Sequence, residues 1–162
     1  MNGFFSGMSF RAQLAGWSMI AAAMIVPMFL MVVLGRSEPI DRISVYGCYA
    51  APNAPALLIR DDAIHIIEPA KRKFSYVAGA SKTSYQLSVK PALALSRQPD
   101  GRYIFVDRDG VGYFWPLLPA NGKNRNRVRH PEEYAGQFKV AAIGGTVLYT
   151  RTAEPHACRD DF

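Results

Sequence analysis

Apolar and polar residues alternate on two different rhythms along this chain, and the change comes near residue 35. From Leu14 to Leu34 the sequence is apolar almost throughout and carries no charged residue. A helix of that length rises about 30 Å, the hydrocarbon thickness of a bilayer. The pattern therefore predicts one transmembrane helix over 14–34. Trp17 lies near one end of it, where an indole favours the headgroup level. Pro27 removes one backbone donor, which membrane helices tolerate. The small residues Gly16, Ser18 and Ala22 would let a second helix approach closely, or would simply face lipid. The apolar run is long for a cleaved signal and no small-x-small site follows it directly, so an uncleaved anchor is expected.

After residue 42 the rhythm shortens to period two, broken by turn residues. Expected strands are Ile43–Tyr49, Ala56–Arg60, Ala63–Ile67, Lys73–Val77 and Ser84–Val89. Alternation places Tyr85, Leu87 and Val89 on one face. Asp61-Asp62, Pro69–Arg72 and Pro99-Asp100-Gly101 read as turns. Pro91–Leu95 reads as either a helical turn or a strand. The clearest expected hairpin joins Arg102–Asp107 to Val111–Leu118 across Asp109-Gly110, a step that supplies the positive φ of a tight turn. A second joins Gln137–Ala142 to Thr146–Arg151 across Ile143-Gly144-Gly145. Eight or nine short strands and no sustained 3.6-residue period after Leu34 predict an all-β domain, a small antiparallel barrel or sandwich.

The expected organisation is thus a cytoplasmic or interfacial segment over 1–13, the helix over 14–34, a linker over 35–42 and an extracytoplasmic β domain over 43–162. So short a linker would keep the domain close to the bilayer.

The two cysteines sharpen the choice of side. Cys48 opens the β domain and Cys158 nearly closes it, with no zinc-type spacing around either. They are expected to form a disulfide, which suits an oxidising compartment. Arg11 and the N-terminal amine lie on one side of the apolar run and Arg36 and Arg42 on the other, so the positive-inside rule is nearly silent. The cysteines point to a single-pass protein of a bacterial-type inner membrane, with its C-terminal domain periplasmic or extracellular.

Charge adds one candidate surface. The net charge is +6. Lys123, Arg125, Arg127 and Arg129 recur at alternate positions and would project one way from an extended strand. Guanidinium groups pair bidentately with phosphate or carboxylate, so this ridge is a candidate contact for lipid headgroups or an anionic partner, or else a solvated loop. Few aromatics interleave with it, which argues against nucleic acid. Just before it, Tyr113, Phe114 and Trp115 form a candidate aromatic patch whose members either pack inward or mark a binding face.

Catalytic chemistry is not legible. His65, His130 and His156 lie apart in the sequence, and a Cys158–His156 nucleophile pair disappears if Cys158 is oxidised. Asp61-Asp62 and Asp160-Asp161 sit at a turn and a tail. The expectation is no enzyme, no cofactor and no metal. Membrane lipid and a larger membrane protein complex are the expected partners, with the chain as a non-enzymatic accessory or assembly subunit. The alternative is a membrane-anchored binding module for a small apolar ligand or an anionic envelope polymer.

Overall fold

The computed structural model describes residues 7, 9–35, 38–70, 72–82, 84–109, 113–120, 127–153 and 158. They form two compact units, divided between Ser37 and Glu38.

The first unit holds α1 (Phe10–Leu34), a single helix long and apolar enough to cross a membrane. It begins at Phe10, four residues before the expected start, because Arg11 and Gln13 are good helix formers that propagate the turn. Pro27 lies inside it, and the Gly35 N–H closes it on the Met31 carbonyl at 3.0 Å. At about 100° per residue, Ser18 and Ala22 stand about 40° apart, whereas Gly16 lies about 160° from Ser18. The three small residues thus divide between two faces. The Ser18 hydroxyl is engaged with its own helix, donating to the Ala15 carbonyl at 2.8 Å.

The second unit is a closed antiparallel barrel of eight strands, with one hairpin inserted. The strands are β1 (Gly47–Ala51), β2 (Ala54–Arg60), β3 (Ala63–Ile67), β4 (Lys73–Ser81), β5 (Ser84–Lys90), β6 (Leu93–Arg97), β7 (Tyr103–Asp107), β8 (Tyr113–Pro119), β9 (Tyr134–Ala142) and β10 (Gly145–Thr152). Pairing runs β1-β2-β3-β4-β5-β8-β9-β10 and returns to β1. Closure leaves these eight strands no free edge. The choice between barrel and sandwich is settled by the β1–β10 ladder, Cys48 to Thr152 and Ala50 to Thr150.

Two expected elements differ. Ile43–Tyr49 is not one strand: Arg42–Val45 is a 3₁₀ turn, η1, followed by β1. Asp41 causes this by capping: its carboxylate accepts the Ile43 N–H at 3.1 Å, and its carbonyl accepts the Ser44 hydroxyl at 2.6 Å. The larger correction concerns β7 and β8, which do not pair. β7 pairs with β6, which is a strand and not a helical turn, while β8 runs between β5 and β9. An Asp-Gly step permits a hairpin but does not compel one. Here β5 and β9 claim both sides of β8. The β9–β10 hairpin forms in register, Val140 facing Val147 and Phe138 facing Tyr149.

Period-two alternation fills the barrel. Tyr49, Leu57, Ile59, Ile64, Ile66, Leu87, Trp115, Leu117, Phe138 and Tyr149 are all fully buried in one cluster. Eight strands enclose a space that side chains alone can fill. Phe138 stacks between Trp115 and Tyr149, with ring centroids 5.6 Å from each and planes 9° and 8° apart. The Trp115 indole N–H has no hydrogen-bond partner among the described residues.

The meander gives the barrel two ends. Glu38, η1, the Asp61-Asp62 turn, Lys82 and residues 127–133 gather at one, called the near end. The β1–β2, β3–β4 and β9–β10 turns and the β6–β7 hairpin gather at the other, the hairpin end. Ile40, Val45 and Val128 are buried at the near end, and the Tyr85 hydroxyl donates to the Glu38 carbonyl at 2.6 Å. Residues 38–42 therefore pack with the barrel.

Candidate functional site

The sequence-derived candidates fall in several places. Cys48 and Cys158 are joined by a disulfide that links positions 110 apart in the chain. Arg127 and Arg129 are both exposed and flank the fully buried Val128, and the Arg129 N–H donates to the Glu133 carboxylate at 2.8 Å. Lys123 and Arg125 lie outside the described residues, as do His156 and Asp160-Asp161. The aromatic triplet is split by the pleat. Trp115 is fully buried in the core, while Phe114 is 56% exposed on the outer face. Tyr113 is half-buried beneath Arg108, whose guanidinium carbon lies 5.7 Å from its ring centroid. The three therefore do not form one patch.

Asp61 and Asp62 are neutralised locally, Asp61 by Arg60 at 3.9 Å and Asp62 by Arg42. His65 is half-buried, opposite Lys73 across the β3–β4 ladder, and His130 is exposed before a short 3₁₀ turn. Among the described residues, no three His, Cys, Asp or Glu side chains stand close enough to hold a metal ion.

Two polar constellations emerge that sequence reasoning missed, one at each end. At the near end Arg151 shares the pleat face of Val147 and Tyr149 on β10, but there, past the end of the core, it is exposed. Its Nε and Nη2 donate to the Tyr49 hydroxyl at 3.3 and 3.0 Å, and Nη2 also donates to the Ser44 carbonyl. Its guanidinium carbon lies 5.5 Å from the Tyr49 ring centroid and 5.7 Å from that of Tyr134. Such cation–π contacts are worth about 0.5–2 kcal/mol each, depending on desolvation. The Tyr49 hydroxyl donates to the Val45 carbonyl at 2.8 Å and lies 3.0 Å from the Tyr134 hydroxyl, which must therefore be the donor to it.

Two glycines make room for the arginine. A Cβ on Gly136 would stand 2.9 Å from the Arg151 Cβ, and one on Gly47 would stand 3.2 Å from its Cδ. Burial, then the neighbouring Tyr49, push the Tyr134 hydroxyl far above the ordinary tyrosine range, and Arg151 only partly opposes this. Every atom here that Arg151 uses binds the chain to itself. The cluster is a latch holding η1 to the barrel, and the readable signal for it was a charge placed on an apolar alternation.

At the hairpin end β6 and β7 cross the barrel mouth. Leu93, Leu95 and Phe105 enter the core, with Phe105 centroids 6.1 Å from Trp115 and 6.5 Å from Tyr149. The hairpin is tied to three points on the rim. The Tyr103 N–H donates to the Asn53 carbonyl at 2.7 Å and the Ile143 N–H to the Leu95 carbonyl at 2.9 Å. Arg72 bridges Glu68 and the Phe105 carbonyl, both at 2.7 Å. Coverage is incomplete. A cleft of about 730 Å³ opens between the hairpin tip and the rim, within the range of about 300–1,000 Å³ typical of small-molecule sites. Pro55 is one of the lining residues, and its carbonyl accepts the Tyr149 hydroxyl at 3.0 Å. Burial, then the nearby Glu68 carboxylate, raise that hydroxyl well above its ordinary range.

No family model matches the chain. No curated protein and no solved structure matches it either.

Proposed function

We propose that this chain is a non-enzymatic, single-pass accessory or assembly subunit of a larger membrane protein complex. Its barrel would lie on the extracytoplasmic side of a bacterial-type inner membrane. The observation that carries the reading is the filled barrel. The described core is packed with side chains, which leaves the outer surfaces and the hairpin-end cleft as the places where the domain can engage anything. The helix supports the same reading, since among its described residues none of the most apolar stretch is buried, and such a stretch needs lipid or partner helices around it. The Cys48–Cys158 disulfide fits an oxidising compartment. Exposed Arg127 and Arg129 remain candidate contacts for lipid headgroups or an acidic partner face.

The test is purification of the tagged full-length chain at native expression in mild detergent, with mass spectrometry of what stays bound. Stoichiometric recovery of a larger membrane complex is the expected result. Recovery of the chain alone would remove this reading and leave the binding module. For that alternative, the packed interior disfavours a small apolar ligand inside the barrel, and the cleft is the place to look. Intact mass of the mature chain separates an anchor from a cleaved leader.

A further inference from the structure

The cleft at the hairpin end has a chemistry that narrows its occupant. Its two carboxylates are already balanced. Glu68 pairs with Arg72 at 2.7 Å, and Asp100 pairs with Arg102 at 2.6 Å while also accepting the Arg102 N–H at 2.9 Å. These contacts with Arg102 hold the Asp100 carboxyl below its ordinary range. A charged ligand would therefore meet no uncompensated opposite charge.

What remains unused is neutral hydrogen-bonding capacity. The side-chain amides of Asn53 and Gln98 line the cleft and make no hydrogen bond among the described residues. An amide offers two donors and two acceptor lone pairs, and so does well against hydroxyls, which both donate and accept.

The rest of the lining is apolar and stiff. Pro55, Pro69 and Pro99 stand on three separate segments around the opening, and Tyr103 and Ile104 line it from β7. Proline fixes its own φ, so little conformational freedom remains to be lost when a ligand binds.

Backbone recognition along the outer edge of β7 is hindered. In the β6–β7 ladder, residues 102, 104 and 106 direct their backbone groups toward β6, as the Gln98 N–H to Arg102 carbonyl bond at 2.7 Å sets the phase. Tyr103 and Phe105 direct theirs to the outer edge. There the Tyr103 N–H is taken by Asn53 and the Phe105 carbonyl by Arg72. An added strand would find two of its ladder partners occupied.

We propose that this cleft binds an uncharged polyhydroxy ligand, a short glycan segment, with Asn53 and Gln98 reading hydroxyls and Tyr103 and the prolines packing against the C–H faces of the rings. This goes beyond the accessory-subunit reading and needs no partner protein, so either can fail alone.

The experiment uses the full-length chain in lipid nanodiscs, which avoids sugar-based detergents. Cellotriose, chitotriose and maltotriose are titrated by calorimetry and saturation-transfer NMR, beside an acidic trigalacturonate and a proline-rich peptide. The variants are Gln98→Ala and Asn53→Gly. Glycine at 53 keeps the positive φ of 56° while removing the amide. Saturable binding of a neutral trisaccharide, weakened about tenfold by each variant at unchanged denaturation midpoint, is expected. Binding that ignores both variants would place the sugar elsewhere and overturn the proposal. So would binding of trigalacturonate alone, of the peptide alone, or of none of the probes.

Discussion

The two ends of the barrel are closed by different means. At the near end the chain's own approach to β1 is folded into the mouth. Val45, Ile40 and Val128 complete the core, and Arg151 latches η1 through Tyr49, Tyr134 and Ser44. At the hairpin end two strands span the opening, held at Asn53, Arg72 and Ile143, with Phe105 as the main peg into the core. A plug made of packed side chains leaves little room. A hairpin laid across a rim touches it only at intervals, and the gap between contacts is the cleft. Incomplete closure is thus where the barrel gains a site, because the hydrogen bonds there tie points and do not fill volume.

Loss of the disulfide should weaken the near end most. The disulfide ties Cys158 to the near end of β1. Replacing Cys48 and Cys158 with serine should remove about 4–5 kcal/mol of stability in the chain-entropy model. Urea denaturation of the detergent-solubilised protein checks this. A loss under 1 kcal/mol would mean that packing alone holds the near end.

Phe105→Ala tests the other closure. It should cost about 3 kcal/mol by removing the peg between Trp115 and Tyr149. Hydrogen exchange should rise across β6 and β7 while β9 and β10 stay protected. Equal acceleration throughout would show that the hairpin is not a separable closure.

Two glycines give a matched pair. Gly136 and Gly144 both have positive φ, +74° and +88°, but a Cβ at 136 strikes Arg151 whereas one at 144 meets open space. Gly144→Ala should cost about 1 kcal/mol, the backbone term alone. Gly136→Ala should cost about 2–3 kcal/mol, since displacing Arg151 adds strain to the backbone term. Near-equal thermal shifts would deny Arg151 its role as a latch.

Alkaline sensitivity is a property that both ends share. Tyr134 near one end and Tyr149 near the other both have hydroxyls raised, chiefly by burial. Above pH about 10 the unfolded chain releases these protons and the folded chain keeps them. Stability should therefore be fully present below pH 10 and fall above it, by up to about 1.4 kcal/mol per pH unit for each tyrosine. Tyr134→Phe should flatten the fall, as measured by denaturation across pH 9–11.

The helix, the all-β class and the disulfide were legible in advance because each rests on local or binary features. An uncharged run of bilayer length, a period of two and two cysteines at opposite ends of a domain need no knowledge of partners. Tyr85, Leu87 and Val89 face inward as alternation required. Pairing was not legible where strands compete. Nothing in 102–118 shows that β8 meets β5 and β9 instead of β7, because the gain comes from Leu87 opposite Trp115 and Phe138 opposite Leu117, partners far away in the chain.

The candidate sites fared differently for the same reason. Tyr113, Phe114 and Trp115 are adjacent in sequence and separated by the pleat, while Tyr49, Tyr134 and Arg151 are distant and meet at one mouth. Asn53, Glu68 and Gln98 belong to three unrelated turns until the hairpin crosses the rim. Local and periodic features could be read from residue order alone: the anchor-like helix, the strand rhythm and its inward faces, and the cysteines available to join. Barrel closure, the hairpin's place across one mouth, the Arg151 latch and the cleft arise in the assembled fold, because each depends on long-range pairing whose free energy exists only when distant strands meet.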